Sequence, residues 1–396
     1  MNEFAFYLFL FSLGAFFVPI LSKFLRLPAF VGEIFYGFAL QHLLQPGNSS
    51  LELIEFLSQM GFIFLMFLAG LELNFDNFQM PVLVRSTIAA IILQVCCWTF
   101  WYFYLPQYNA FIPILLSAAS AGVAFLALKS QNQTESSLGQ QVIWTCSIGE
   151  LFSIILMIIY ETTHRNADAG SLTIIMEISL LFLFLFGAYF LIRMILLFFW
   201  IFPESVYNVS GRSDSTELGV RMALMVMLSM VALASFLRLE VILGAFLGGI
   251  MMSFIFKDSE QIQEKLSVIG YGFFIPFFFM RVGWDFTLPE ENLTDLIIAA
   301  FLTYLIFYGL RLPSAIFLIK GDKSLSFREK FKSVVGVNFL LAAPLTLLVA
   351  LAELGLKVEV INDFVYRVSI LCAMLSGLLG PFFFALMQKK LLRPSE

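Results

Sequence analysis

The feature that most constrains this chain is a succession of long apolar runs. The first, Phe4–Leu21, holds no charged residue, and a helix needs about 20 apolar residues to cross the hydrocarbon core of a bilayer. Marked by their polar, proline and glycine breaks, about thirteen such runs follow one another. They are Phe4–Leu21, Pro28–Leu44, Ile54–Leu73, Pro81–Tyr104, Phe111–Leu128, Gln140–Tyr160 and Leu172–Phe202. After a polar connection, Tyr207–Thr216, come Glu217–Phe236, Val241–Phe256, Ile269–Phe286, Asp295–Ile319, Phe331–Leu354 and Phe364–Leu391. Charge is correspondingly scarce: 13% of the 396 residues are charged and 60% are hydrophobic, against about 25% charged in an ordinary soluble domain. That balance excludes a soluble enzyme and a disordered chain. A net charge of −5 without a basic patch excludes a nucleic-acid binder. The predicted fold class is an all-α polytopic membrane protein with about thirteen transmembrane helices.

Loop charge orients it. Alternate loops collect Lys23, Arg26, Arg85, Lys129, Arg212, Lys257, Lys320, Lys323, Lys389 and Arg393, whereas the opposite set holds Arg165, Arg238 and Lys357. By the positive-inside rule the N-terminus lies outside and the C-terminus in the cytoplasm, in a cell (inner) membrane. Met1-Asn2-Glu3 lacks the basic start of a cleaved signal peptide, and no soluble regulatory domain is expected. Cys96, Cys97, Cys146 and Cys372 fall inside apolar stretches without metal spacing and read as small buried hydrophobes. His42 and His164 stand far apart near segment ends, so no metal site and no cofactor is expected.

The chain repeats itself. Phe24-Leu25-Arg26-Leu27 precedes Val31-Gly32 and Gly37, as Phe236-Leu237-Arg238-Leu239 precedes Leu243-Gly244 and Gly249. Gly70-Leu71-Glu72-Leu73 is answered by Gly283-Trp284-Asp285-Phe286. Arg26 falls on an inner loop and Arg238 on an outer one, so the copies cross the membrane in opposite senses. The expectation is one transmembrane domain: a first six-helix repeat over 1–161, a linker helix over 172–202 and an inverted second repeat over 217–391. Inverted repeats of this kind mark secondary transporters and put the substrate site near mid-membrane, at the repeat interface.

An ionisable residue inside the hydrocarbon region is expensive and functional by default. Glu150 sits in mid-helix, in Cys146-Ser147-Ile148-Gly149-Glu150-Leu151. A carboxyl group deprived of water gains by holding either a proton or a monovalent cation. Arg311, in Tyr308-Gly309-Leu310-Arg311-Leu312-Pro313, keeps its proton in proteins. It pairs with carboxylates or helix C-terminal carbonyls in the core, or it snorkels to the cytoplasmic face. Glu33 could line the cytoplasmic access path, and a helix-packing role fits it as well. Glu72 and Asp285 are rim residues, and Arg193, Arg221, Arg281 and Arg367 read as interfacial anchors.

Two helices look breakable at mid-depth. Leu116-Ser117-Ala118-Ala119-Ser120-Ala121-Gly122 is rich in small and hydroxyl residues; Asn338-Phe339-Leu340-Leu341-Ala342-Ala343-Pro344 ends on a residue without a backbone donor. Half-helices crossing there would offer carbonyls and dipoles to a cation beside Glu150.

Four motifs then resemble one family in order along nearly the whole chain. Pro28-Ala29-Phe30-Val31-Gly32-Glu33-Ile34-Phe35-Tyr36-Gly37, Phe64-Leu65-Met66-Phe67-Leu68-Ala69-Gly70-Leu71-Glu72-Leu73, Leu243-Gly244-Ala245-Phe246-Leu247-Gly248-Gly249 and Phe273-Phe274-Ile275-Pro276-Phe277-Phe278-Phe279 with Gly283 are similar to motifs of the cation:proton antiporter-2 family of sodium/hydrogen exchangers. The resemblance implies a dimerisation domain, a mobile core with two crossed, broken helices, and elevator-like alternating access by a homodimer. It implies that Glu150 is the essential acid, that Gly149 stands where the family has Asp or Asn, and that Ala119-Ser120 replaces the usual Thr-Ser. It implies that Arg311 fills a position often Lys. A lone exchangeable carboxylate beside a fixed cation predicts electroneutral exchange of Na+ or K+ for H+. The other reading is a transport-inactive or sensory membrane protein that keeps the scaffold.

Overall fold

The computed structural model describes residues 2–25, 29–44, 52–71, 80–165 except 130, 132 and 135, scattered residues within 179–201, and 217–237, 241–255, 260–286, 293–320 and 326–389. Among these there is no strand; the elements are α1 (Asn2–Leu25), α2 (Ala29–Leu44), α3 (Glu52–Leu71), α4 (Met80–Tyr104), α5 (Phe111–Ser117), α6 (Ala121–Lys129) and α7 (Ser137–Arg165). Then come α8 (Leu218–Phe236), α9 (Val241–Ile255), α10 (Glu260–Ile269), a π-helical turn (Gly270–Phe274), α11 (Ile275–Asp285), α12 (Leu293–Lys320), α13 (Phe327–Leu341), α14 (Leu345–Lys357) and α15 (Asp363–Lys389). Only helix satisfies every backbone group within one lipid-exposed segment, which is why the described residues contain little else. Nine helical stretches among the described residues are long and apolar enough to span a membrane, with Phe111–Phe125 and Leu243–Ile255 as shorter apolar ones. The expected linker helix lies for the most part outside the described residues, as do Arg26, Glu72 and Arg238.

Two compact units partition these helices. The first comprises Met1–Leu25, Gly32–Asn77 and Glu161–Asp285; the second, Arg26–Val31, Phe78–Tyr160 and Phe286–Glu396. The spatial division therefore cuts across the two halves of the sequence, each unit drawing helices from both.

In the first unit, glycines from the two halves of the sequence meet opposing backbone in reciprocal pairs. A Cβ on Gly37 of α2 would stand 1.8 Å from the carbonyl oxygen of Met280 on α11, and one on Gly283 would stand 1.9 Å from that of Ile34. The same exchange occurs between α9 and α3: Gly249 faces the Phe67 carbonyl at 2.0 Å and Gly70 the Phe246 carbonyl at 2.1 Å. In all four, the carbonyl belongs to the residue three before the opposing glycine. Gly32 packs on the side chains of Ser22 and Val18, and Gly244 on the backbone of Met230; Val18 and Met230 hold matching positions of the two halves. Any side chain at these points would part the helices, so the small residues set their spacing. Aromatic side chains fill the remainder, with Tyr7 edge-on to Trp284 at 5.6 Å and Phe64 stacked on Phe274 at 4.8 Å.

The second unit holds α4–α7 and α12–α15. Ser314 Oγ of α12 donates to the Ala89 carbonyl of α4 at 2.8 Å, and Ser86 Oγ donates to the Gln141 carbonyl of α7 at 3.0 Å. A core of small and branched residues, including Ala124, Leu128, Val142, Cys146, Leu318, Val337 and Leu340, closes around them. All four cysteines are free, Cys97, Cys146 and Cys372 being buried.

Candidate functional site

Two interruptions face one another within the second unit. Helix α5 stops at Ser117, Ala118 is extended (φ −49°, ψ 132°), and α6 resumes at Ala121. Helix α13 stops at Leu341, Ala342–Pro344 turn out of the helix, and α14 resumes at Leu345. Pro344 accounts for the second interruption, since its ring blocks a continuous helix. The first has no proline; three small residues, Ala118-Ala119-Ser120, leave room for the backbone to leave the helix and approach a neighbour.

Arg311 explains how these ends survive in an apolar interior. Its side chain is 0% exposed. Nε donates to the carbonyl of Leu341 at 2.7 Å, Nη1 to that of Phe307 at 3.1 Å and Nη2 to that of Ala118. Leu341 is the last residue of α13 and Ala118 follows the end of α5, so one guanidinium caps the C-termini of both half-helices, where a cation is favoured. The guanidinium also lies over the Phe307 ring, 4.4 Å from its centroid. The side chain reaches no surface and does not snorkel.

Glu150 occupies the opposite pole. It projects from α7, is 1% exposed, and its Oε2 accepts the Ala121 N–H at 3.2 Å. Ala121 opens α6, so the carboxyl sits at a helix N-terminus, the end that stabilises negative charge. Its Oε1 is buried without a hydrogen-bond partner. Beside it, Ser120 Oγ and Thr346 Oγ1 are 2.7 Å apart and join the starts of α6 and α14. Gly149 is what admits this approach: a Cβ there would meet the Cβ of Ala119 at 3.2 Å. Ser117 Oγ and Ser153 Oγ, 3.3 Å apart, tie α5 to α7.

The second unit thus contains Glu150, Gly149, Ala119, Ser120, Arg311 and Pro344. Gly122 lies in the first turn of α6. Asn338 lies in the last turn of α13, its amide donating to the Tyr308 carbonyl at 2.9 Å while its Oδ1 has no partner. Glu33 is buried on α2 and belongs to the first unit. Arg281 pairs with Asp285 at 2.7 Å and Arg367 with Asp363, both one turn along their own helices. Thr346 is the residue that sequence reasoning missed. The available signal was a lone hydroxyl immediately past Pro344, in Leu345-Thr346-Leu347-Leu348. Among the described residues no group of acidic, histidine or cysteine side chains could hold a metal cofactor.

A family profile described as sodium/hydrogen exchanger, transmembrane, matches residues 12–390. The chain belongs to the sodium/hydrogen exchanger family. Membership and the apolar helices together make this exchanger-family chain a multi-pass membrane protein. It is 29% identical over 412 residues to a putative Na(+)/H(+) antiporter, YjbQ, of Bacillus subtilis, a match that takes in 96% of the chain and 63% of that relative's length. It is 24% identical over 384 residues to a Na(+)/H(+) antiporter of Enterococcus hirae, covering 93% of the chain and 94% of the relative. Its fold is that of the sodium proton antiporter MjNhaP1 from Methanocaldococcus jannaschii, with a TM-score of 0.67 over 99% of each chain at 16% identity.

Proposed function

We propose that the chain is a monovalent cation:proton antiporter in which Na+ or K+ and H+ compete for Glu150. The observation that carries this reading is the division of labour within one carboxyl group. Oε2 is anchored on the Ala121 amide, while Oε1 is buried and unpartnered. A buried carboxylate oxygen without a partner is costly, so the group gains by binding H+ or a cation. The carboxyl is closed to solvent here, and alternating access opens it to one face of the membrane at a time.

Charge bookkeeping supports one-for-one, electroneutral exchange. Arg311 contributes a fixed positive charge that makes no ion pair with Glu150. With a proton or with a monovalent cation on the carboxyl, the site carries the same net charge. Only the unloaded state differs, so the two loaded states cross the membrane on equal terms. The reading extends to a homodimer in a cell (inner) membrane, with Na+ or K+ and H+ as substrates.

The test is cation-induced collapse of a pH gradient in everted vesicles, followed with a pH-sensitive dye. Wild-type protein should respond to Na+ or K+, and Glu150→Gln should not. A silent wild type with every alkali cation would replace this reading with that of a transport-inactive membrane protein.

A further inference from the structure

The second broken helix carries a hydroxyl in the first turn of α14, and it points at the other break. Thr346 Oγ1 lies 2.7 Å from Ser120 Oγ. The residue after Ser120, Ala121, gives its N–H to Glu150 Oε2, and Glu150 Oε1 has no partner although it is buried. The hydroxyl pair therefore sits one residue along the chain from the amide that holds Glu150, where α6 and α14 begin.

Those two N-termini favour an ionised carboxylate and oppose a bare cation. A cation held there needs neutral oxygens to replace the water it sheds, as filter carbonyls do in channels. Ser120 supplies one. It is 2% exposed, as closed off as Glu150, whereas Thr346 is only half-buried. Thr346 is thus the least closed-off member of the group. Until a cation arrives, the two hydroxyls satisfy each other.

We propose that Thr346 Oγ1 is a ligand of the transported alkali cation, contributed by the second broken helix beside Ser120 Oγ and the Glu150 carboxylate. The ion concerned is the one the antiport reading supplies, and the assignment rests on that reading. On binding, the hydroxyl–hydroxyl bond is exchanged for two oxygen–cation contacts, so neither hydroxyl is left without a partner.

The test compares Thr346→Val, which keeps the shape and removes the oxygen, with Thr346→Ser, which keeps the oxygen. Losing one oxygen contact to a charged ion should raise the apparent KM for the cation about tenfold, with maximal rate within about twofold of wild type. Thr346→Ser should restore the KM. With the cation concentration scaled to each variant's KM, the pH midpoint of exchange should not move, because the proton resides on Glu150 and not on the hydroxyl. A merely structural clasp predicts the reverse pattern: Thr346→Val with an unchanged KM and a lower melting temperature in the absence of cation. That pattern, or failure of Thr346→Ser to restore the KM, overturns the assignment. A second readout separates it from the antiport reading: stabilisation of the detergent-purified full chain by NaCl or KCl against choline chloride. Cation stabilisation that Thr346→Val abolishes, in a protein that exchanges nothing in vesicles, upholds the site and sinks the antiport reading. Exchange in vesicles with the same KM in wild type and Thr346→Val does the opposite.

Discussion

Arg311 Nε donates a 2.7 Å hydrogen bond to the carbonyl oxygen of Leu341, the residue at which α13 stops. The same guanidinium reaches the Ala118 carbonyl just past α5, so two severed helices share one cap. Arg311→Met leaves both carbonyls buried without a donor, at about 1–3 kcal/mol each. Arg311→Lys keeps the charge but lacks the planar fork that serves several acceptors at once. Melting temperatures in detergent should therefore fall in the order wild type, Lys, Met, and the Met variant should not exchange. A Met variant as stable as wild type would refute the shared cap.

The glycine contacts of the first unit make a symmetrical prediction. Gly37→Ala and Gly249→Ala occupy matching positions, with a Cβ forced to within 1.8 Å and 2.0 Å of a carbonyl oxygen. Overpacking of this kind costs about 1–3 kcal/mol or more, and the two losses should be alike. Gly309, on α12, has nothing within 4 Å of its would-be Cβ, so Gly309→Ala should be neutral or stabilise by up to about 1 kcal/mol through helix propensity. Thermal unfolding of the three variants side by side decides the matter; unequal damage at Gly37 and Gly249 counts against a repeated contact.

On the antiport reading, competition for one carboxyl sets the sign of the pH dependence. Protons that occupy Glu150 exclude the cation, so apparent cation affinity should fall as pH falls, by about tenfold per unit on the acid side of the titration. Glu150→Asp draws the carboxyl back by one methylene from the Ala121 amide and should weaken cation binding without abolishing exchange. Initial rates against cation concentration at a series of pH values test both; a KM independent of pH would exclude competition.

Electroneutrality is separately testable. In proteoliposomes, a membrane potential imposed by ion diffusion should leave the exchange rate unchanged, and a cation gradient alone should produce no sustained current. A rate that follows the sign of the imposed potential would mean that net charge moves with each exchange and that the one-for-one ratio is wrong.

How much of this was legible in the amino-acid order differs from residue to residue. The spans announce themselves because lipid tolerates little but long apolar helix, and Pro344 marks an interruption because it lacks a donor. Gly37, Gly70, Gly249 and Gly283 stood out as repeated motifs, and the structure gives the reason: each meets a neighbouring backbone. The partition into two units did not show, because it depends on packing between helices far apart in sequence. Helix C-terminal carbonyls stood among the partners expected of Arg311, but not which ones, since any residue can supply a carbonyl and side-chain identity says nothing of where a backbone ends up. Thr346 escaped notice because a single hydroxyl in a leucine-rich run makes no periodic signal.

The cap on the two helix breaks is a guanidinium, and that choice has a consequence for how the proposed exchanger would respond to acid. Guanidinium keeps its proton throughout the range in which proteins function. The clamp is therefore deaf to the variable that its carboxylic neighbour measures. On the antiport reading, acid then empties the carboxyl of its cation without loosening the architecture that surrounds it.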